Sequence, residues 1–278
     1  MRLILAGVLA CVTTAVSSAA DTPKPTPAER LAAIQKESKD TQTKLYKTLE
    51  DLGDSTDARK KADELFQQHE KEQTKRYEAA LELAKADPKS DVAFESLEWM
   101  LTIPRVYYLP VGKPVMELAL EHHATNPKIG KATLMLGRFG PYDDKQENYK
   151  LSRDLLRTIG EKNPDKTVRG QVAMVNAWKA KGAFDAAEFK KAKDMEALAT
   201  VAERAMEVVI TEYGECVLLG RGEKQTLAET ATVDLFELRN LRVGKVAPDI
   251  DGEDLDGLKF KLSDYRGKVV VLDFWGDW

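Results

Sequence analysis

The sequence predicts a mainly α-helical chain, built from α-solenoid-like helical hairpins and followed by a short β-patterned segment. Three observations carry this prediction. Apolar residues recur at helical spacing over most of the 278 residues. Asp87-Pro88, Asn126-Pro127 and Asn163-Pro164 interrupt the pattern at intervals of 39 and 37 residues. From Val243-Gly244 onward the apolar residues first alternate and then run together.

The helices follow in order. Residues 21–25 read as a linker, because their prolines forbid a regular element. Thr26 can cap a helix, Pro27 sits at its first position and Glu29 completes a capping box. Leu31, Ile34, Leu45, Leu49 and Leu52 then mark one face until Gly53 stops the run. A second helix is expected over about 57–86, with Ala62, Leu65, Phe66, Tyr77, Leu81 and Ala84 along one side. Each of the three Pro breaks ends one apolar helical run and precedes another, over 92–101, 129–136 and 168–178. A single hairpin cannot bury its apolar stripe alone, so the units are expected to stack into an array with a concave face. The alternative is an irregular helical bundle. Two more helices are expected, over 193–213 and 226–240. Leu198, Val201, Ala205, Met206 and Val209 carry the core face of the first, and Leu227, Val233, Leu235, Phe236 and Leu238 that of the second.

Composition removes several classes of function. The net charge of −4, from 42 Lys and Arg against 46 Asp and Glu, leaves no electrostatic footprint for nucleic acid or an anionic membrane. Residues 1–20 carry the features of a secretory signal: a short basic start, an apolar stretch over 3–16 and small residues before a cut after Ala20. The protein is therefore expected to be exported, periplasmic or otherwise extracytoplasmic. A lipobox-like Val8-Leu9-Ala10-Cys11 offers lipid anchoring at Cys11 as the alternative. Cys216 is the one cysteine outside the signal, and its apolar neighbours Val217 to Leu219 read as core.

The domain plan is thus a signal peptide over 1–20, a linker over 21–25, a helical repeat-like domain over 26–242, and a β-patterned segment over 243–278. Within the last, Asp256-Gly257 is a tight-turn pair, and Leu258, Phe260 and Leu262 alternate with polar residues. Val269-Val270-Val271-Leu272 runs without alternation, as a central strand covered on both faces does. The 278 residues supply nothing further to pair with it, so this part is expected to be incomplete.

The segment Val243-Gly244-Lys245-Val246-Ala247-Pro248-Asp249, then Asp256-Gly257, Leu262-Ser263-Asp264-Tyr265-Arg266-Gly267-Lys268, and 269–278 resembles the opening of a thioredoxin-like domain. The resemblance is to the TlpA/ResA type of extracytoplasmic thiol–disulfide oxidoreductase, which overlaps the redoxin (AhpC/TSA) group. It covers about 36 of the 278 residues. It implies an incomplete α/β thioredoxin-like fold, of which the first β-hairpin and the central strand are present. It also implies that Asp273 is the carboxylate that shuttles protons for the resolving cysteine, and that Trp275 and Trp278 flank the redox pair. It implies client protein thiols or disulfides and a membrane electron donor as partners, with no cofactor.

The nucleophile would come immediately after Trp278, so the chain as it stands is expected to lack disulfide-exchange activity. Three expectations account for this: a selenocysteine codon read as a stop, a true truncation, or a fragment, in that order. The expected function of the full-length form is thiol–disulfide exchange, with the helical array docking a protein partner. The alternatives are a non-catalytic helical interaction protein with a decayed redox tail, and a peroxiredoxin-type antioxidant. Trp275 and Trp278 favour the thioredoxin lead-in over the latter.

Other chemistry finds no pattern. His122-His123 are adjacent and expected to point to different faces, and His69 lies far off in sequence, so no zinc spacing arises. The acidic run Asp249, Asp251, Glu253, Asp254, Asp256 fails the EF-hand pattern and reads as a solvated hairpin. Phosphate-loop, dinucleotide and nucleophile-elbow motifs are missing from the sequence. Trp99, Tyr107, Tyr108 and Trp178 are candidates for a concave face, and their spacing reads as core.

Overall fold

A computed structural model describes residues 24–53, 55–138, 147–219 and 225–275. The predicted signal, Cys11 and Trp278 lie outside the described residues. The first long helix, α1 (Pro27–Glu50), begins where the sequence places it. Thr26 and Glu29 close a reciprocal capping box, and Gly53, at φ +69°, lets the chain turn after the helix. Helix α2 (Thr56–Ala86) is capped by Ser55. There follow α3 (Asp91–Leu101), a 3-10 turn (Pro104–Tyr108), α4 (Gly112–Leu118) and a π turn (Ala119–His123). Then come α5 (Gly130–Arg138), α6 (Glu147–Lys162), α7 (Lys166–Phe189), α8 (Met195–Tyr213) and α9 (Leu227–Asn240). Helix α9 starts on a second capping box, made by Thr226 and Glu229.

All three Asp/Asn-Pro breaks fall between helices, and they also touch one another. His123 Nε2 lies 2.7 Å from the Pro88 carbonyl, and the carbonyl can only accept, so this nitrogen carries the proton. Asn163 Nδ2 donates to the carbonyls of Ala124 and Asn126, each at 2.9 Å. Each break is thereby held against the preceding one. Other hydrogen bonds join neighbouring units at similar sequence separations: Gln73 to Ser38, Arg76 to Glu37 and Asn148 to the Tyr107 carbonyl. Stacked hairpins with a period near 38 residues produce this pattern.

The core divides into two clusters. One runs from Leu31 through Tyr77, Phe94, Met116, Leu136 and Ile159 to Val175. The other gathers Met174, Phe184, Met206, Cys216, Leu227 and Leu238 around α7, α8 and α9. Gln171, fully buried, donates to the Val217 carbonyl and accepts from the Leu219 amide, pinning the loop that carries Cys216 onto α7. Four residues expected on core faces are exposed: Phe66, Val201, Val233 and Phe236. In α9 the buried stripe is Leu227, Ala231, Leu235 and Leu238, spaced by four, four and three, and Val233 and Phe236 fall outside it.

The β-patterned segment forms a hairpin of β1 (Asp251–Glu253) and β2 (Lys259–Lys261), with Gly252 facing Phe260, followed by a 3-10 turn (Leu262–Tyr265). The Asp254 carboxylate accepts from the amides of Asp256 and Leu258, and Gly257 takes φ +79°, so the predicted turn is present. The hairpin is a small self-held unit, and neither core cluster includes a residue beyond Leu238. The expected half-burial fails at Leu258, which is 66% exposed, whereas Phe260 is 37% exposed, lying over Gly252 and edge-on to Tyr265. Residues 269–272 form no strand among the described residues, because no neighbouring strand offers hydrogen bonds or cover, and Val269 and Val271 stay exposed.

Candidate functional site

Two places invite chemistry. The first is the C-terminal segment. Asp273 and Trp275 sit on the unpaired, exposed stretch after the hairpin, with Trp275 84% exposed. Trp278 lies outside the described residues. Upstream, the acidic run is put to structural use. Asp249 accepts from the amide and hydroxyl of Ser263 at 2.8 and 2.7 Å, and these bonds hold its carboxyl below the usual carboxylate range. Asp251 pairs with Lys261 at 3.1 Å, and Asp254 shapes the turn.

The second place was missed by sequence reasoning. Where α6 crosses α7, a Cβ at Gly160 would come within 2.9 Å of Val172, so the two backbones approach closely. Beside this contact lies a cavity of about 440 Å³. Leu156 and Val172, both buried, line its floor, and Tyr213 of α8 flanks it. Arg153, Arg157, Arg169 and Lys179 surround it, with Glu161 the sole acid among its lining residues. Arg169 is fixed by donating Nη1 to the carbonyls of Asn163 and Pro164 at 2.7 and 3.0 Å. Arg157 lies 3.7 Å from Asp154 and 3.3 Å from Glu161. Among the described residues Arg153 and Lys179 have no ion-pair partner. Burial, and then the neighbouring Arg153 guanidinium, lower the Lys179 ammonium below the ordinary lysine value. The signal in the sequence was the pair of spacings, Arg153 with Arg157 and Arg169 with Asn176 and Lys179. Each set lies on one face of its own helix, but only the fold brings the two faces together.

The remaining candidates are structural except Tyr108, which is 61% exposed against the expected core position. Tyr107 is buried and donates its hydroxyl to the Leu101 carbonyl at 2.9 Å. Trp99 leans on Tyr77 with ring centroids 5.5 Å apart. Trp178 donates Nε1 to Asp234 at 2.8 Å, and Tyr108 is exposed. His122 and His123 lie on the π turn, His123 buried against Phe94. Cys216 lies in the second core cluster. Among the described residues no three His, Cys, Asp or Glu side chains are grouped to hold a metal ion. Among them, too, no helix is long and apolar enough to cross a membrane.

No family model matches the chain, and no solved structure matches it. Several curated proteins match a short stretch. The thiol-disulfide oxidoreductase ResA of Geobacillus thermodenitrificans is 56% identical over 36 residues, 13% of this chain and 21% of that protein. The ResA of Geobacillus kaustophilus is 58% identical over 36 residues, and that of Bacillus anthracis 47% identical over 38. The match thus spans about a fifth of these relatives' length. It is as long as the segment 243–278, in which the thioredoxin-like pattern was read. A short stretch of this chain is therefore similar to thiol-disulfide oxidoreductases.

Proposed function

We propose that the chain is part of an exported thiol–disulfide oxidoreductase, with a helical docking domain over 26–242 leading into a thioredoxin-like domain that opens at 243. The observation that carries this reading is the 56% identity to a thiol-disulfide oxidoreductase over a stretch the length of 243–278. The domain limit has local support. Arg242 is tucked over the Phe184 ring at 5.3 Å, whereas Val243 is almost fully exposed. In this reading Asp273 moves protons for the resolving cysteine, and Trp275 and Trp278 flank the exchanging pair that follows them. Client protein thiols or disulfides are the substrates, a membrane donor supplies electrons, and the exchange takes place outside the cytoplasm. The chemistry needs a thiolate or selenolate at a helix start, where the helix dipole lowers its pKa.

A second reading is a non-catalytic helical partner protein. It is favoured by one observation: both core clusters lie within residues 31–238 and take nothing from the β-patterned segment. One experiment separates the two. The gene is read in frame beyond codon 278, and the protein isolated from its own cells is assayed for reduction of insulin disulfides. An in-frame redox pair with alkylation-sensitive exchange supports the oxidoreductase. A frame without such a pair, and native protein without exchange, supports the partner protein.

A further inference from the structure

We infer that the groove between α6 and α7 binds an extended acidic peptide segment of a partner protein. This deepens the docking role proposed for the helical domain and is independent of any redox step.

The geometry sets the shape of the ligand. The two helices are joined by a short break and run antiparallel, and the Gly160–Val172 approach fixes their register. That register sets Arg153 opposite Lys179 at one end, in keeping with the influence of the Arg153 charge on Lys179. Arg169 stands near the break at the other end, with Arg157 between. Arg169 and Lys179 are ten residues apart on one helix, a rise of about 15 Å. A single small anion cannot reach both ends. An extended chain rising about 3.3 Å per residue covers the distance with four or five residues.

The chemistry sets the composition. Among the described residues the two cations at one end, Arg153 and Lys179, have no ion-pair partner, and a guanidinium fork matches a carboxylate in two-point geometry. At the other end the backbone carbonyls of Asn163 and Pro164 hold the Arg169 Nη1 in place, so less side-chain freedom is lost when the rest of the guanidinium takes a ligand. The floor of Leu156 and Val172 is apolar, and the amide of Asn176 lines the same side. A peptide that alternates acids with an aliphatic residue satisfies both rim and floor. The groove is basic on a chain whose net charge is −4, so the charge is placed locally and does not reflect composition.

The test is fluorescence anisotropy on the whole protein with a labelled Glu-Leu-Glu-Glu-Leu-Glu peptide and its Gln-for-Glu counterpart. Competitors are inorganic phosphate and vesicles rich in phosphatidylglycerol. The expected result is saturable, salt-sensitive binding of the acidic peptide with Kd on the order of 10–100 μM. The Gln peptide should bind at least about tenfold more weakly. The double variant Arg153→Glu/Lys179→Glu should weaken the acidic peptide about tenfold or more, with its circular dichroism and melting unchanged. Arg153→Gln/Lys179→Gln, which adds no charge, serves if the reversal fails to fold. Equal binding of both peptides, binding unaffected by either double variant, or no binding near 1 mM overturns the inference. So does displacement by phosphate at concentrations comparable to the peptide, which marks a small-anion site. Vesicle binding that the double variant abolishes while peptide binding persists also overturns it.

Discussion

The side-chain amide of Asn163 donates at 2.9 Å to the backbone carbonyl of Asn126, so the third helix break is hydrogen-bonded to the second. The same amide reaches the Ala124 carbonyl, and it is 2% exposed. Both residues occupy the position before a proline, where the chain leaves the helix and exposes carbonyls that need donors. Asn163→Leu removes the donor that the Ala124 carbonyl relies on, while the Asn126 carbonyl keeps the Ile129 amide at 3.2 Å. The expected cost is about 1–3 kcal/mol, read as a lower urea midpoint at unchanged slope. Asn163→Asp is expected to cost more, because a carboxylate would then face two carbonyl oxygens. Equal stability of Asn163→Leu and the parent would show that the breaks are not clamped.

How much of this was legible in the sequence differs between its two parts. Several helix limits were, because caps and breakers act locally: Thr26 with Glu29, Thr226 with Glu229 and the Pro breaks lie where the residues put them, whereas α7 runs on to Phe189, past the apolar run over 168–178. The clamps between breaks were not, because His123 and Pro88 are 35 residues apart and only stacking makes them neighbours. The basic groove escaped for the same reason, since on one helix Arg153 and Arg157 look like any solvated face. The run 269–272 has a strand's pattern without forming one. Apolar β-branched residues favour a pleated surface, but a strand needs a partner, and the described residues offer none.

Acidification should destabilise the stack through His123. Burial lowers its pKa below the ordinary 6.5, with His122 adding to the effect and the bond to the Pro88 carbonyl opposing it. The folded protein therefore binds this proton less readily than the unfolded chain. Stability is full above pH 6.5 and falls as pH drops from 6.5 toward the lowered folded value. His69, lowered by burial and by Arg76, works in the same direction. His123→Gln keeps an amide that can donate to Pro88 but takes up no proton. Its urea midpoint should fall less than that of the parent over about one pH unit below 6.5. Parallel pH profiles for the two proteins would remove His123 from this role.

The limit between the helical body and the following segment should show in proteolysis. The Arg242 side chain is only 7% exposed, stacked on Phe184 and 3.4 Å from Glu196. Lys245, three residues on, is exposed. Brief trypsin treatment of the protein should therefore cut after Lys245 before cutting after Arg242, releasing a fragment that keeps its helical circular dichroism. Mass spectrometry of the early products identifies the site. First cuts within 147–242 would contradict a helical domain extending to Arg242.

Close approach of α5 to α7 depends on Gly137. A Cβ built there would collide with both methyls of Val175, which is itself buried and packed into the first core cluster. Alanine normally favours a helix over glycine, so propensity alone predicts that Gly137→Ala stabilises. The collision predicts the opposite sign, a loss of about 1–3 kcal/mol as the helices are forced apart. Val175→Ala alone also destabilises, by opening a cavity of two methyls. The two changes together should cost less than the sum of each, because the new methyl fills the space that valine leaves. A double-mutant cycle on melting temperatures checks this. Strict additivity, or a stabilised Gly137→Ala, would show that the helices accommodate the methyl without steric conflict.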